Sequence, residues 1–183
     1  MKNISLHSFV LFLCLGLICS CTEKQDFDQY DDISVTPTVE GSILYVETPE
    51  RIINQIVGIS FYSQIFNFDA FSEDFIAERV LDGVVIYEVE NTTSKQLNIS
   101  VEFLDAADNV LDIESFAIDP APTAVLRREI AYGGTTGRSI DIIRNTSSIR
   151  VSAENLGDNT STSSLPDPKI VLRSSAKFRI RLK

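Results

Sequence analysis

The 183-residue chain has no tryptophan, one histidine, one methionine and three cysteines. All of these scarce residues fall within the first 21 positions: Met1, His7, Cys14, Cys19 and Cys21. From Thr22 onward there is no imidazole and no thiol. Nucleophilic catalysis built on Ser-His or Cys-His pairs is therefore excluded from that stretch. Zinc, copper and haem sites depend on the same ligands and go with it. No disulfide can form there either, so stability rests on core packing. The remaining chemistry is that of carboxylate pairs, lysine or tyrosine bases, and cations held by oxygen.

Positive charge is also short. Sixteen Lys and Arg stand against 26 Asp and Glu, for a net charge of −10. Nucleic-acid phosphates demand the opposite balance, so nucleic acid is not an expected partner. Long apolar runs are scarce too. The one at residues 9–19 follows Lys2 and ends in Ile18-Cys19-Ser20-Cys21. Its roughly eleven apolar residues fall short of the ~20 that a helix needs to span a bilayer, and a cation before a short apolar core is the layout of a secretory leader.

This start resembles the signal sequence and lipobox of bacterial lipoproteins. The resemblance implies cleavage before Cys21 and lipid on its thiol. Family members carry two or three acyl chains, where one alone would hold only marginally. Thr22 stands where an inner-membrane retention signal in proteobacteria would usually place Asp, and the acidic tract at residues 23–32, interrupted by Lys24, resembles the surface-export signal of Bacteroidota lipoproteins. The expected location is thus the outer membrane, facing the cell surface in preference to the periplasm. Residues 84–131 resemble the immunoglobulin-like modules of bacterial surface lipoproteins, and the region after the leader resembles an uncharacterised flavobacterial group. That likeness implies compartment and fold, with no activity and no cofactor.

Three segments are expected: a signal peptide at 1–20, a flexible acidic tether at 21–41 in which Thr36-Pro37-Thr38 resists helix, and one domain at 42–183, a length suited to a single core. Thr48-Pro49-Glu50 reads as a helix start, with Ile52, Ile53, Ile56 and Val57 on one face and Gly58 as its end; an extended reading fits nearly as well. Residues 59–68 look extended. Ser72-Glu73-Asp74 suggests a second short helix running on through Phe75, Ile76, Arg79 and Val80. From Gly83 the apolar period becomes two: Val85, Tyr87 and Val89, then Leu97, Ile99, Val101 and Phe103, with turns between them. Residues 110–118 read as a strand whose apolar phase slips between Ile113 and Phe116, which suggests a bulge. Leu126, Ile130 and Tyr132 mark another strand, and Ile149, Val151 and Ala153 the next. Residues 157–168 read as a mobile polar loop. The expected fold is all-β, an immunoglobulin-like antiparallel sandwich with one or two short helices. Crossover helices are missing, which argues against a parallel α/β sheet.

Four groups of residues carry possible chemistry. Residues 132–139 have glycines at Gly133, Gly134 and Gly137, but Tyr132 stands where a phosphate-binding loop needs its first glycine and Arg138 replaces its lysine. A glycine turn is the plainer reading. Asp105, Asp108, Asp112 and Glu114 offer oxygen ligands for calcium, or an acid and base for glycoside hydrolysis; turn formation and a solvated strand face are the commoner use. Tyr45, Phe61, Tyr62, Phe66, Phe68, Phe71 and Phe75 could line a groove, although core filling is more usual.

The last strand is the sharpest of the four. Ile170, Leu172, Ser174, Ala176, Phe178, Ile180 and Leu182 occupy one face, and Lys169, Arg173, Lys177, Arg179, Arg181 and Lys183 the other. Such a ladder needs cross-strand acids, with Glu88, Glu90, Glu102 and Glu154 as candidates, or else an anionic partner. Cations there would also guard a sheet edge. The functional expectation is a non-enzymatic binding or accessory module, without metal or catalytic residues, that docks another envelope protein such as an outer-membrane β-barrel. A glycan- or small-ligand-binding protein is the alternative, followed by a carboxylate-dependent glycan hydrolase.

Overall fold

In a computed structural model the described residues are 34–56, 58–68, 77–121 and 125–182. Cys21, the tract at 23–32, the helix start at Ser72, Phe71, Phe75 and Lys183 lie outside them. The strands are β1 (Thr38–Pro49), β2 (Ser60–Asn67), β3 (Val80–Asn91), β4 (Leu97–Leu104), β5 (Val110–Ile118), β6 (Leu126–Gly133), β7 (Ser148–Asn155) and β8 (Lys169–Ile180). The short helices α1 (Glu50–Ile53) and α2 (Ile140–Asn145) accompany them.

Period-two patterning places the strands as read. In β4, Leu97, Ile99, Val101 and Phe103 are buried while Asn98, Ser100 and Glu102 face outward; β7 alternates in the same way. A strand presents successive side chains to opposite faces, so each buries one apolar face and leaves the other to water. The two faces meet between the sheets. Val85, Tyr87, Val89, Leu172 and Phe178 from one sheet, with Ile99, Val101, Phe103, Ile149 and Val151 from the other, belong to one core cluster. Each fully buried Val, Leu, Ile or Phe contributes about 1.5–3 kcal/mol.

The sheets are antiparallel and four-stranded, in the orders β1-β8-β3-β6 and β2-β7-β4-β5. The antiparallel sandwich is thus the observed class, but its connectivity corrects the immunoglobulin-like expectation. An immunoglobulin sheet sets its first two strands side by side. Here β1 pairs with β8, β2 with β7, β3 with β6 and β4 with β5. This is a long hairpin wound on itself, the double-sheet jelly roll.

Details depart from expectation for local reasons. β1 begins at Thr38, not at 42, because β8 is long enough to pair Thr38 with Arg179 and Gly41 with Ala176. The helix after Pro49 is a single turn: Pro49 sits at its N-cap, no side chain caps it, and Asn54 already ends it. Val80 belongs to β3, not to a helix. Gly83 lies where a Cβ would sit 2.1 Å from the Phe178 ring and 2.5 Å from the Lys177 carbonyl, so the inner face has no room for a side chain there. In β1 the register shifts between Ser42 and Leu44, and this bulge turns Ser42 and Tyr45 to one face.

Candidate functional site

The cation ladder lies on β8, which the expectation placed at an edge. β8 is instead interior, between β1 and β3, so acids reach it from both sides. Lys169 Nζ lies 3.3 Å from Glu47 and 3.6 Å from Asp167, Arg173 3.4 Å from Glu90, and Lys177 3.0 Å from Glu40; Arg179 pairs with Asp82. Of the acids expected to serve the ladder, Glu90 does so. Glu88, on the neighbouring β3 and opposite Arg173, pairs instead with Arg127, and Glu102, in the other sheet, with Arg150. Arg181 follows the strand, its amide bonded to the Arg79 carbonyl. The ladder is thus largely neutralised from within.

The carboxylate set divides in two. Asp105 accepts the amides of Ala107 and Asn109 at 2.8 and 2.9 Å and the Asn109 side chain at 3.0 Å, and Asp108 takes a φ of 61°. These two acids build the turn. Asp112 and Glu114 stand on the inward face of β5. The register shift sits at the start of that strand, opposite Phe103 and Leu104, so the apparent slip between Ile113 and Phe116 is no bulge. It is two acids occupying core positions.

Arginine explains how those acids are tolerated, because a buried charge needs a partner. Arg138 Nη1 donates to Asp112 at 2.6 Å and its Nη2 to Glu114, while Arg128 reaches the other Glu114 oxygen at 2.9 Å. Tyr132 donates to Asp112 at 2.8 Å. Burial opposes the charge on Arg138, but its bonds to Asp112 and Glu114 outweigh burial and raise its pKa. Burial drives the Tyr132 and Tyr87 hydroxyls upward. β5 and β6 are the outer strands of opposite sheets, so the network clasps the sandwich along that side.

The glycine turn delivers Arg138. Gly133 N–H bonds to the Arg138 carbonyl at 2.7 Å and Arg138 N–H to the Ala131 carbonyl at 2.9 Å. A Cβ at Gly137 would sit 2.3 Å from the Gly133 oxygen. The helix that follows has six residues and Ser139 as its cap, so the turn places a guanidinium and does not cradle phosphate. Among the described residues no three His, Cys, Asp or Glu side chains are grouped to hold a metal.

A polar cluster that the sequence did not announce ties down residues 156–168. Lys95 is fully buried, and its ammonium donates to Asp158 Oδ1 at 3.1 Å and to the Ser161 carbonyl and hydroxyl, each at 2.7 Å. Glu50, 2% exposed, accepts the Ser94 amide and hydroxyl at 2.7 and 2.6 Å and the Ser163 amide at 2.8 Å. The loop expected to be mobile is bonded at several points. Burial penalises the Glu50 charge, yet the bonds from Ser94 and Ser163 outweigh it and hold its pKa below 4.5. The Ser161 and Thr160 amides, then Lys95, hold Asp158 far below the usual carboxylate range.

A carboxyl whose folded pKa is depressed contributes stability above its unfolded value and loses it as pH falls through the folded one. Acidification below 4.5 is therefore expected to loosen this end of the sandwich. Melting temperatures from neutral pH down to about pH 3 check this, with a shallower acid limb expected for Glu50→Gln. An acid limb of equal depth in the variant would remove Glu50 from the account.

Of the described aromatics, Phe61, Tyr62, Phe66 and Phe68 pack against the core, whereas Tyr45 is 59% exposed. The chain matches no protein-family model and no curated protein. Among solved structures it is similar to the VP2 subviral particle of infectious bursal disease virus, with TM-score 0.38 and 10% identity over 81% of this chain and 33% of that one. It is also similar to a Bacillus endospore appendage protein of disulfide-linked pili, with TM-score 0.37 and 8% identity over 90% and 97% of the two chains. For Desmodium yellow mottle tymovirus the TM-score is 0.36 and the identity 7%, over 82% and 89%. The chain spans about a third of the length of the VP2 it matches.

Proposed function

We propose that this chain is a lipid-anchored, non-enzymatic binding or accessory module of a bacterial outer membrane, turned toward the cell surface and docking an envelope protein. The observation that carries the reading is the leader ending in Ile18-Cys19-Ser20-Cys21, followed by a polar, acidic stretch. The pairing of Asp112 and Glu114 with arginines supports the non-enzymatic part, since an acid and base for glycoside hydrolysis need a substrate or water between them, not guanidinium.

Membrane fractionation of cells making Cys21→Ser tests the anchor. The variant is expected in the soluble fraction, while the wild-type chain stays with membranes and shows a diacyl or triacyl mass on its N-terminal peptide. An unmodified Cys21 peptide, or a Cys21→Ser variant that still sediments with membranes, overturns the reading. In-cell crosslinking followed by mass spectrometry tests the partner, and recovery of no envelope protein under mild detergent removes that half.

A further inference from the structure

The outer face of the β1-β8-β3-β6 sheet holds a groove of about 500 Å3 whose lining includes Ser42, Tyr45, Ile86, Glu88, Arg173 and Ser175. Cross-strand register arranges these six in two rows. Tyr45 lies opposite Arg173, and Arg173 opposite Glu88; one step along, Ser42 lies opposite Ser175, and Ser175 opposite Ile86. Without the β1 bulge Ser42 and Tyr45 would point to opposite faces.

Each polar wall is fixed from outside. The Tyr45 hydroxyl donates to Glu47 at 2.7 Å, and its ring stands beside the Arg173 guanidinium, 6.0 Å from Cζ to centroid. Arg173 is held by Glu90 and Glu88 by Arg127. Arg173 and Glu88 cancel in charge, and two serines and a buried isoleucine make the floor low.

We propose that this groove binds a neutral oligosaccharide. An exposed aromatic face suits the C–H face of a sugar ring, and a fixed guanidinium and carboxylate, one fork of donors and one of acceptors, suit neighbouring hydroxyls. Short serine side chains let a ring approach the sheet. A polyanion would find the cations already paired. A peptide added as a strand would pair along the outer edge of β1, whereas the groove lies on the face of the sheet, across β1, β8 and β3. The proposal deepens the binding-module reading and rests on it for compartment only.

The test uses the full chain purified in a detergent that carries no sugar headgroup. Cellohexaose, laminarihexaose and mannohexaose are titrated against it, with an alginate oligosaccharide as the anionic probe. With no tryptophan and five tyrosines present, the emission lost in Tyr45→Phe isolates the groove tyrosine, and calorimetry gives affinity. Saturable, salt-insensitive binding of at least one neutral probe is expected. Tyr45→Ala is expected to weaken it by about tenfold or more, while Tyr45→Phe, which keeps the ring, stays within about twofold. No binding of any neutral probe, binding of alginate alone, or unchanged affinity in Tyr45→Ala overturns the proposal. Because these titrations need no membrane, their failure is distinct from a failure of the Cys21 anchor.

Discussion

Phe116→Ala is expected to lower the unfolding free energy by about 3–5 kcal/mol. The Phe116 ring is wholly buried on the inward face of β5. It lies 5.2 Å from the Tyr87 ring at an interplanar angle of 56°, and the Arg128 guanidinium covers it at 4.7 Å. Truncation removes the buried ring, an aromatic pair and a cation–π contact together, and the cavity opens beneath the Arg128–Glu114 bond. Water entering there would weaken that ion pair as well, since a charge pair is stronger where water is excluded. Urea unfolding should show a lower midpoint with an unchanged slope. A loss below about 1 kcal/mol would place the β5–β6 side outside the cooperative core.

Lys95→Ala comes next, with an expected loss of about 2–5 kcal/mol, the range for removing a long buried side chain. All three ammonium donors are in use, so truncation also takes two hydrogen bonds from Ser161, leaving its carbonyl with Asn54 and its hydroxyl with Ser94. Asp158 is 59% exposed and water can replace its lost contact, so the cost lies in the stem and at Ser161. The larger signature should be local. Residues 156–168 lose a principal tether and should become the first site cut by a broad-specificity protease, at a concentration that leaves the wild-type chain whole. If cleavage there is no faster in the variant, the bond from the Ser163 amide to Glu50 and that from the Asn54 side chain to the Ser161 carbonyl, 3.1 Å, hold the loop by themselves.

The location of the strands was legible, because alternation such as Leu97, Ile99, Val101 and Phe103 reports which face is buried. It does not report which strand lies alongside, so the same alternation suits an immunoglobulin sandwich as well as a jelly roll and does not tell whether β8 is an edge. The two acids on β5 misled for a related reason. A core position is recognised by apolarity, so Asp112 and Glu114 looked like a break in phase when they mark unbroken alternation. Their arginines come from β6 and from a turn more than twenty residues on, a pairing that no local pattern encodes. Lys95 gave no signal at all, since a lysine in a polar turn is ordinarily solvated. Tyr45 is one aromatic among seven in the sequence; it faces outward between Leu44 and Val46, and the bulge after Ser42 brings that serine to its side.

The pairing of β1 with β8 also bears on how the chain comes to be folded. Among the described strands β1 waits for β8, and without residues 169–180 both β1 and β3 lack a neighbour. Contacts this distant in sequence close slowly. A nascent chain cannot complete the sandwich from its leading part, so it stays threadable until β8 has been made. Truncating the final strand should therefore abolish the domain rather than shorten it.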